Sequence, residues 1–533
     1  MRLTAVFSIV VACCTAEPDC TIVARPRADG SVRVLFGSCS RTGLKQPLWT
    51  PIIARQADAF CWGGDAIYSD RRYLSGWEPG NPQALRLMYE QQRRLPGYAA
   101  LLRSRTPVVG TWDDHDYGLN DGDRTFKWRA ESQQEYLRFL GVDAADARRT
   151  ERRGVYAYHD IVRPAGAGQG GGGGGGEGER VRLVLLDIRY HRDPYSSLCG
   201  GAGDMLGAAQ WGWLENEAFV DSADEPVSLF VVVSGLQVLP LGRCKLENWA
   251  RFPSARRRLL ASLHRLNARP GSAAIVVSGD VHFGELSAEV CGGDGGVAGG
   301  VDGGRGVDRG ADGGANRAHA NATELLELTT SGMTHSWLHN ESGFKLKVSP
   351  RFPGCEFFMY SVLFILKLKL PWLKWTVPTF FARRAISAFM WAMPHNHQLA
   401  WQGQLNFGEV SVRWPPELGS GVEVTASVRD VSGAAVLSRT IRSKPPTSGN
   451  SGADSGGGGA AGAAETTQDV SCLPVNGSTE TAAWRLSWWM GVLALGAVVL
   501  AWLLPLLLLA LLLALLWWRR RGRGEAKSGV KAE

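Results

Sequence analysis

Residues 58–70 constrain the fold of this chain more than any other stretch. Their sequence is Asp-Ala-Phe-Cys-Trp-Gly-Gly-Asp-Ala-Ile-Tyr-Ser-Asp. The apolar run from Ala59 to Trp62 predicts a buried strand, and the two glycines that follow end it. Asp65 therefore comes at the carboxyl end of a strand, where open α/β sheets bind their ligands. A carboxylate there can bridge two cations and Tyr68 can add a phenolate, although Gly-Asp after a strand is also typical of an ordinary turn.

Two later stretches repeat the pattern of an apolar run that ends in ligand-type side chains. A predicted strand over 106–111 leads into Trp-Asp-Asp-His-Asp at 112–116, and one over 273–277 leads into Ser-Gly-Asp-Val-His at 278–282. An alternating strand over 32–36 leads into Gly-Ser-Cys-Ser in the same way. The candidate ligands, in chain order, are Cys39, Asp65, Tyr68, Asp114, His115, Asp280 and His282.

These side chains predict a site for metal ions. Carboxylate and phenolate oxygens suit hard cations, whereas imidazole suits transition metals. Two metals about 3.5–4 Å apart, bridged by one carboxylate, clamp a phosphate and lower the pKa of a bound water. The sequence therefore favours a hydrolytic two-metal centre.

The middle of the chain alternates continuous apolar strands with helical segments. Strands are predicted over 181–186, 229–233, 404–412 and 422–428, and helices over 82–103, 125–140, 208–220 and 255–266. This alternation predicts an α/β fold whose sheet is covered on both faces. We predict one domain over 31–445, with Gly-rich insertions at 165–178 and 292–314, followed by a flexible stalk over 446–487.

Both ends of the chain carry membrane signals. Residues 1–16 fit a secretory signal peptide, the alternative being a first core strand. Residues 488–518 are nearly all apolar and precede a basic tail, 519–533, so they predict a transmembrane helix of a single-pass type I protein. The domain would then be extracellular or lumenal, where disulfides can form. Three glycosylation sequons are compatible with that side: Asn321, Asn340 and Asn476.

Charge excludes one class of partner. The formal net charge is +7, but the tail supplies +4 of it through four Arg and two Lys against two Glu, which leaves +3 elsewhere. That is too little to predict nucleic-acid binding, and no feature implies a protein partner. The aromatic segment 355–381 is interrupted by lysines and prolines, and it favours either a lid over the site or a patch on the bilayer surface.

Taken together, the motifs resemble a known family. Gly-Asp-x-x-Tyr at 64–68, the Trp-Asp-Asp-His-Asp run and the late Gly-Asp-Val-His are similar to the alkaline phosphatase D (PhoD-like) family of the calcineurin-like metallophosphatase superfamily. Further matches lie at 36–39, 186–189, 192–194 and 234–237, and the resemblance runs from about residue 36 to residue 331, over half of the chain. It implies a four-layer αββα sandwich, here joined to the predicted transmembrane helix. One departure is Ser-Cys-Ser at 38–40, where the superfamily usually has Asp-x-His.

The resemblance also implies roles for single residues. A ferric ion would be held by Cys39 and Tyr68, with Asp65 as the bridge. A second metal, often Ca²⁺ in this family although other divalent cations are possible, would draw on Asp114 with Asp280 or Asn120. The remaining expectations are His282 as a further ligand, His115 at the scissile phosphate or leaving oxygen, and Arg189 as a fork for phosphate oxygens.

Several alternatives stay open at this point. Asp113 is either a ligand in place of Asp114 or a helix cap. Cys39 is either a ligand, a buried thiol or half of a disulfide. Arg189 is either a phosphate ligand or a partner of Asp187 or Asp193. The other histidines are more typical of surface or core positions, and they include His264, His335, His339, His395 and His397.

The sequence thus predicts a membrane-anchored, metal-dependent phosphatase or phosphodiesterase. It would hydrolyse phosphate monoesters or diesters through a metal-bound hydroxide. The alternative is a catalytically silent receptor or adhesion ectodomain on the same fold. Intact candidate ligands at every position favour the enzyme.

Overall fold

The computed structural model describes most of the predicted phosphatase domain. The described residues are 20–73, 76–164, 179–196, 201–222, 225–241, 247–291, 323–336, 339–340, 344–345, 398–415, 421–444, 472–474, 511 and 513–514. The chain divides into two compact units, one made of Met1–Lys345 with Asn396–Gly477 and the other of Leu346–His395 with Ser478–Glu533. The predicted signal peptide, both Gly-rich insertions, most of the stalk and segment 355–381 lie wholly or largely outside the described residues.

The first unit is rich in β-strands. In chain order they are β1 (Cys20–Val23), β2 (Val32–Gly37), β3 (Ala59–Gly63), β4 (Arg71–Tyr73), β5 (Gly76–Glu78), β6 (Val108–Thr111), β7 (Ala157–Val162), β8 (Arg180–Leu185), β9 (Val227–Ser234), β10 (Ala273–Ser278), β11 (Gly284–Cys291), β12 (Thr323–Thr330), β13 (His339–Asn340), β14 (Phe344–Lys345), β15 (Gln398–Gln402), β16 (Phe407–Arg413), β17 (Glu423–Arg429), β18 (Ala435–Arg442) and β19 (Cys472–Pro474).

Two large sheets contain most of these strands. Sheet A has the order β1-β7-β8-β9-β10-β12-β11-β15, with β19 also paired to β11, and sheet B has the order β18-β17-β16-β2-β3-β6. Strands β8, β9, β10 and β12 run parallel to one another, as do β2, β3 and β6. The carboxyl ends of neighbouring parallel strands meet at one edge of a sheet, which is where the candidate ligands follow them.

Helices lie between the strands in the chain. They are α1 (Trp49–Ala54), α2 (Pro82–Arg94), α3 (Pro96–Arg103), α4 (Asp114–Tyr117), α5 (Arg129–Leu140), α6 (Ala147–Thr150), α7 (Gly207–Trp213) and α8 (Pro253–Ala268). A π-helical turn over Leu214–Ala218 extends α7, and a 3₁₀ turn covers Trp249–Arg251. Helix α2 begins where its sequence predicts, since the Asn81 side chain accepts the backbone N–H of Ala84 at 2.9 Å and a proline occupies the first position.

Three hydrophobic clusters define the layers. Between the two sheets, side chains such as Val34 of β2 pack with residues of β8, β9 and β10. The opposite face of sheet A packs against α7 and α8, and the opposite face of sheet B packs against α1, α2, α3 and α5. Successive strand residues point to opposite faces, so Val34 lies between the sheets while Leu35 faces the helices. The described layers are therefore helix, sheet, sheet and helix.

The predicted fold class is wrong in its transmembrane helix. Among the described residues, no helix is both long enough and apolar enough to cross a membrane. The longest, α8, has 16 residues and includes four arginines, whereas a bilayer core needs about 20 mainly apolar residues. The predicted span, 488–518, lies outside the described residues except for the helical positions Leu511, Leu513 and Ala514.

Candidate metal centre

The predicted ligands follow the carboxyl ends of four strands. Cys39 follows β2, Asp65 follows β3, Asp114 and His115 begin α4 after β6, and His282 lies beyond the end of β10. Strands β2, β3 and β6 are parallel neighbours in sheet B, and β10 belongs to sheet A. The site is therefore assembled from both sheets.

Four candidate ligands share an unusual backbone conformation. The φ angles are 59° for Cys39, 54° for Asp65, 67° for Asp280 and 60° for His282. These are four of the seven non-glycine residues with positive φ in the described part of the chain. Side-chain-bearing residues adopt this region rarely and at a cost of about 1–3 kcal/mol each, and such strain concentrates at functional sites.

The first group of candidate ligands contains Cys39, Asp65 and His282, whose ligand atoms lie within 4.8 Å of one another. Cys39 is fully buried and free, which rules out the disulfide alternative. Its sulfur lies 3.6 Å from Asp65 Oδ2 and 3.0 Å from the Ser331 hydroxyl. Burial and the charge of Asp65 raise the pKa of the Cys39 thiol well above its ordinary value. A thiolate at this place therefore needs a cation beside it.

The second group contains Asp65, Asp114 and His115, again with ligand atoms within 4.8 Å of one another. Asp65 thus belongs to both groups, as a bridging ligand must. Burial and the nearby carboxylates, first that of Asp114, raise the pKa of Asp65 well above its ordinary value, and His115 opposes this only in part. Buried carboxylates packed this closely need protons or cations to offset their charge. The donor set therefore fits two metal ions that share Asp65.

Tyr68 lies between the two groups. Its hydroxyl is 3.2 Å from His282 Nε2 and 3.3 Å from His335 Nε2, and its ring centroid is 4.1 Å from that of His115. Burial, followed by the charges of Asp65 and Cys39, raises the pKa of the Tyr68 phenol. Like the thiol of Cys39, this phenol would ionise only beside a cation.

His115 is held by a carboxylate that the sequence analysis did not identify. Asp70 Oδ1 lies 2.6 Å from His115 Nδ1, and Asp70 Oδ2 accepts the backbone N–H of Asn120 at 2.9 Å. Burial lowers the pKa of the His115 ring, but Asp114, Asp65 and Asp70 outweigh this and hold that pKa well above its ordinary value. The ring is therefore suited to donate a proton.

Asp280 and Asn120 are tied to the site less directly. Burial and the charges of Asp113, Asp114 and Glu247 raise the pKa of Asp280, so its carboxyl lies in the same acidic region. Asn120 donates its side-chain amide to Asp121 at 2.8 Å. Asp121 in turn belongs to a third group of close acidic side chains, with Asp114 and Glu247. Metal binding by Asp280 and Asn120 stays a prediction.

Arg189 differs most from its predicted placement. Its side chain is fully buried, its Nε donates to Asp113 Oδ1 at 2.7 Å, and its two terminal nitrogens donate to Glu247 at 3.0 and 2.7 Å. The fork that was expected to hold phosphate is thus occupied by Glu247. The side-chain partners of Arg189 also differ from the expected Asp187 and Asp193, since Asp187 accepts the backbone N–H of Arg189 and not its guanidinium.

Asp113 follows the capping alternative. It is the N-cap residue of α4, and its backbone N–H donates to Asp116 Oδ2 at 3.4 Å. Its side chain pairs with Arg189, whereas Asp114 lies among the candidate ligands. The preference for Asp114 over Asp113 thus agrees with the positions of the two side chains.

His335 was grouped with surface and core histidines, yet its ring lies 4.3 Å from that of His282 and beside Tyr68. It comes five residues after β12, on the loop that also carries Ser331. A strand-end signal was present, since Thr-Glu-Leu-Leu-Glu-Leu-Thr-Thr precedes Ser-Gly there. No strand was predicted at this position, so His335 was not placed at a strand end.

Comparisons with known proteins place part of the chain beside a known family. A family model described as PhoD-like phosphatase matches residues 35–289, a range that contains every predicted site residue. A solved structure titled "Structure of PhoD" aligns with 80% of this chain and 74% of its own, at 14% sequence identity and a TM-score of 0.45. No curated protein matches the chain in sequence.

Fold and site together define an α/β domain with candidate metal ligands at the carboxyl ends of parallel strands. Within that class, residues 35–289 form a PhoD-like phosphatase domain, so the predicted family is confirmed. This match and the candidate groups for binding metal ions both support a phosphatase.

Proposed function

We propose that this protein hydrolyses phosphate monoesters or diesters at a dinuclear metal centre built on Asp65. One observation carries the proposal: the Asp65 carboxylate lies within 4.8 Å of the Cys39 thiol and the His282 imidazole in one ligand group and of the Asp114 carboxylate in the other. A single carboxylate can serve both groups only if it bridges them.

The two groups differ in the cation that they suit. The group around Cys39 offers sulfur and nitrogen with the phenol of Tyr68 beside it, and such donors favour a transition metal, here Fe³⁺. The group around Asp114 offers mainly oxygen, with Asp280 or Asn120 as further donors, and favours a hard cation such as Ca²⁺. When bound, such a pair neutralises a phosphate and lowers the pKa of a water molecule.

The residues of the chain supply orientation and a proton. The Asp70 carboxylate holds Nδ1 of His115, so that Nε2 is the nitrogen available to the substrate. The ring packs between Tyr68 at 4.1 Å and Trp77 at 5.5 Å, which restricts its orientation. Its hydrogen bond to the Asp70 carboxylate stabilises a positive charge on the ring, and a protonated ring can donate to the leaving oxygen of the ester.

A substitution of the bridging residue tests the proposal. Asp65→Asn should abolish the shared anionic ligand, lower metal content and reduce kcat by at least ~10³. The full chain is assayed with 4-nitrophenyl phosphate and bis(4-nitrophenyl) phosphate, and its metals are measured by mass spectrometry. Asp143→Asn is the matched control, since Asp143 is an exposed aspartate outside the site.

Two results would count against the proposal. If Asp65→Asn keeps near wild-type hydrolysis and metal content, the hypothesis of a dinuclear centre bridged by Asp65 is wrong. A metal-loaded wild-type chain that hydrolyses neither ester would instead favour the silent ectodomain.

We further propose that the domain operates in an oxidising compartment outside the cytosol. Cys291 is disulfide-bonded, and Cys472 lies opposite it in the register of β11 and β19. Disulfides persist mainly in exported proteins. Peptide mass mapping without reductant, on protein isolated from its native cell, should therefore find Cys291 oxidised, and a free thiol there would contradict export.

A further inference from the structure

We propose that Arg41 binds the phosphate group of the substrate at the mouth of the metal centre, the role that the family resemblance implied for Arg189. This inference rests on the proposed phosphatase function and adds a substrate-binding residue to it. Nothing in the motifs pointed to Arg41, which simply follows the Ser-Cys-Ser sequence.

The position of the guanidinium is the first observation. The Arg41 Cζ atom lies 4.5 Å from the centroid of the Tyr68 ring. The hydroxyl of that ring is 3.2 Å from His282 Nε2, and its centroid is 4.1 Å from that of His115. The guanidinium is thus separated from both ligand groups by a single aromatic ring.

The backbone of Arg41 is anchored to the same loops that carry the ligands. Its N–H donates to the Thr334 hydroxyl at 2.9 Å, and that hydroxyl donates to the carbonyl oxygen of Cys39 at 3.2 Å. The preceding N–H, of Ser40, donates to the carbonyl oxygen of Asp65 at 2.8 Å. The root of the side chain is therefore fixed relative to Cys39 and Asp65, so less conformational freedom is lost when a ligand binds.

The donors of Arg41 remain available to a ligand. Its side chain is exposed, and its guanidinium makes no hydrogen bond or ion pair with the residues that the structure describes. Two other arginines near the site, Arg189 and Arg192, are buried and already form ion pairs with Glu247. A guanidinium has five N–H donors in a planar fork that matches two phosphate oxygens. The cation–π contact of Arg41 with the Tyr68 ring uses the positive charge of the guanidinium and none of these donors.

The distribution of charge around the site also supports phosphate binding by Arg41. The floor of the site is acidic, since it contains Asp65 and Asp114 with Asp280 close by. Bound metal ions would offset that charge, and a further cation beside the site attracts and orients an anionic substrate. Arg41 supplies one at that place.

The experiment compares the wild-type full chain with Arg41→Ala, Arg41→Lys and Arg103→Ala. Arg103 is an exposed arginine at the end of α3 and serves as the matched control. The measurements are KM and kcat for 4-nitrophenyl phosphate, the inhibition constant of inorganic phosphate, and metal content. Loss of a charged fork should raise the inhibition constant about 10- to 100-fold in Arg41→Ala, with metal content unchanged. Arg41→Lys should lose less, because it keeps the charge without the fork, and Arg103→Ala should match wild type.

The outcomes separate this inference from the proposed function. If wild type hydrolyses ester and Arg41→Ala keeps its phosphate inhibition constant, Arg41 has no role in binding while the phosphatase stands. If Arg41→Ala loses metal, the substitution acts on the metal ligands and not on phosphate binding. That result would also overturn the inference. If wild type hydrolyses nothing, the proposed function fails, and equilibrium dialysis with labelled inorganic phosphate decides: equal binding by wild type and Arg41→Ala overturns the inference, and selective loss supports it.

Discussion

At the scale of single residues, Tyr68 gives the sharpest test of metal identity. A phenolate or thiolate bound to Fe³⁺ absorbs visible light by charge transfer, whereas Zn²⁺ and Ca²⁺ have no accessible acceptor level. We expect the purified protein to be coloured, and Tyr68→Phe to shift or weaken the band and lower kcat by at least ~10-fold. The fold should survive because only a hydroxyl is removed. Absorption spectra with iron analysis provide the measurement.

The control for this substitution is Tyr89→Phe. Tyr89 is buried and its hydroxyl contacts Asp116, which is not a predicted ligand, so loss of that hydroxyl should leave the colour unchanged. If the enzyme is active, colourless and free of iron, and Tyr68→Phe does not change its activity, the hypothesis of a ferric site is wrong. The proposed phosphatase activity would still stand.

The sequence predicted the candidate metal ligands but not the carboxylates that hydrogen-bond to other residues of the site. Cys39, Asp65 and His282 were identified because each follows a predictable strand in a recognisable motif, and the structure brings them together. Asp70 and Glu247 could not be found in that way, because each acts through a residue distant in sequence: Asp70 through His115, and Glu247 through Arg189. Whether a carboxylate orients, neutralises or binds depends on contacts that only the folded chain creates.

At the scale of elements, buried parallel strands were the most predictable. The apolar run before Asp65 became β3, and all five of its residues are buried, since a strand covered on both faces has no polar side. The helix predicted over 82–103 is instead α2 and α3, because Leu95 adopts an extended conformation before Pro96. The position of β12 between β10 and β11 is a property of the sheet, and no local pattern encodes it.

At the scale of the whole molecule, an ionic cluster around a buried glutamate links segments of the chain that are distant in sequence and adjacent in sheet B. Glu409 of β16 accepts hydrogen bonds from Arg55 at 2.7 Å and from Arg429 of β17 at 2.8 and 3.0 Å, and it lies 3.5 Å from Arg33 of β2. The residue is only 3% exposed. Its carboxylate therefore joins three adjacent strands and the end of α1.

This cluster predicts a specific dependence of stability on pH. Burial raises the pKa of Glu409, but Arg55 and Arg429 outweigh it and hold that pKa below the ordinary value of 4.5. The stabilisation is therefore complete above the unfolded-state pKa and is lost as pH falls through the folded-state pKa. Glu409→Gln should lower the free energy of unfolding by roughly 2 kcal/mol at pH 7, because it removes the buried charge that pairs with the half-buried Arg55 and Arg429. Its difference from wild type should shrink toward pH 3.

Urea denaturation at pH 7, 5 and 3 measures this difference. Other carboxylates also titrate over that range, but they do so in both proteins. Because the effects of distant sites add independently, the difference in free energy of unfolding between the two proteins reports on Glu409. Glu90→Gln is the control, since Glu90 forms an exposed pair with Arg94 at 3.2 Å and should change stability by less than about 0.5 kcal/mol at each pH. A Glu409→Gln difference that stays constant, or grows, as the solution becomes acidic would show that the charge of Glu409 does not hold these strands together.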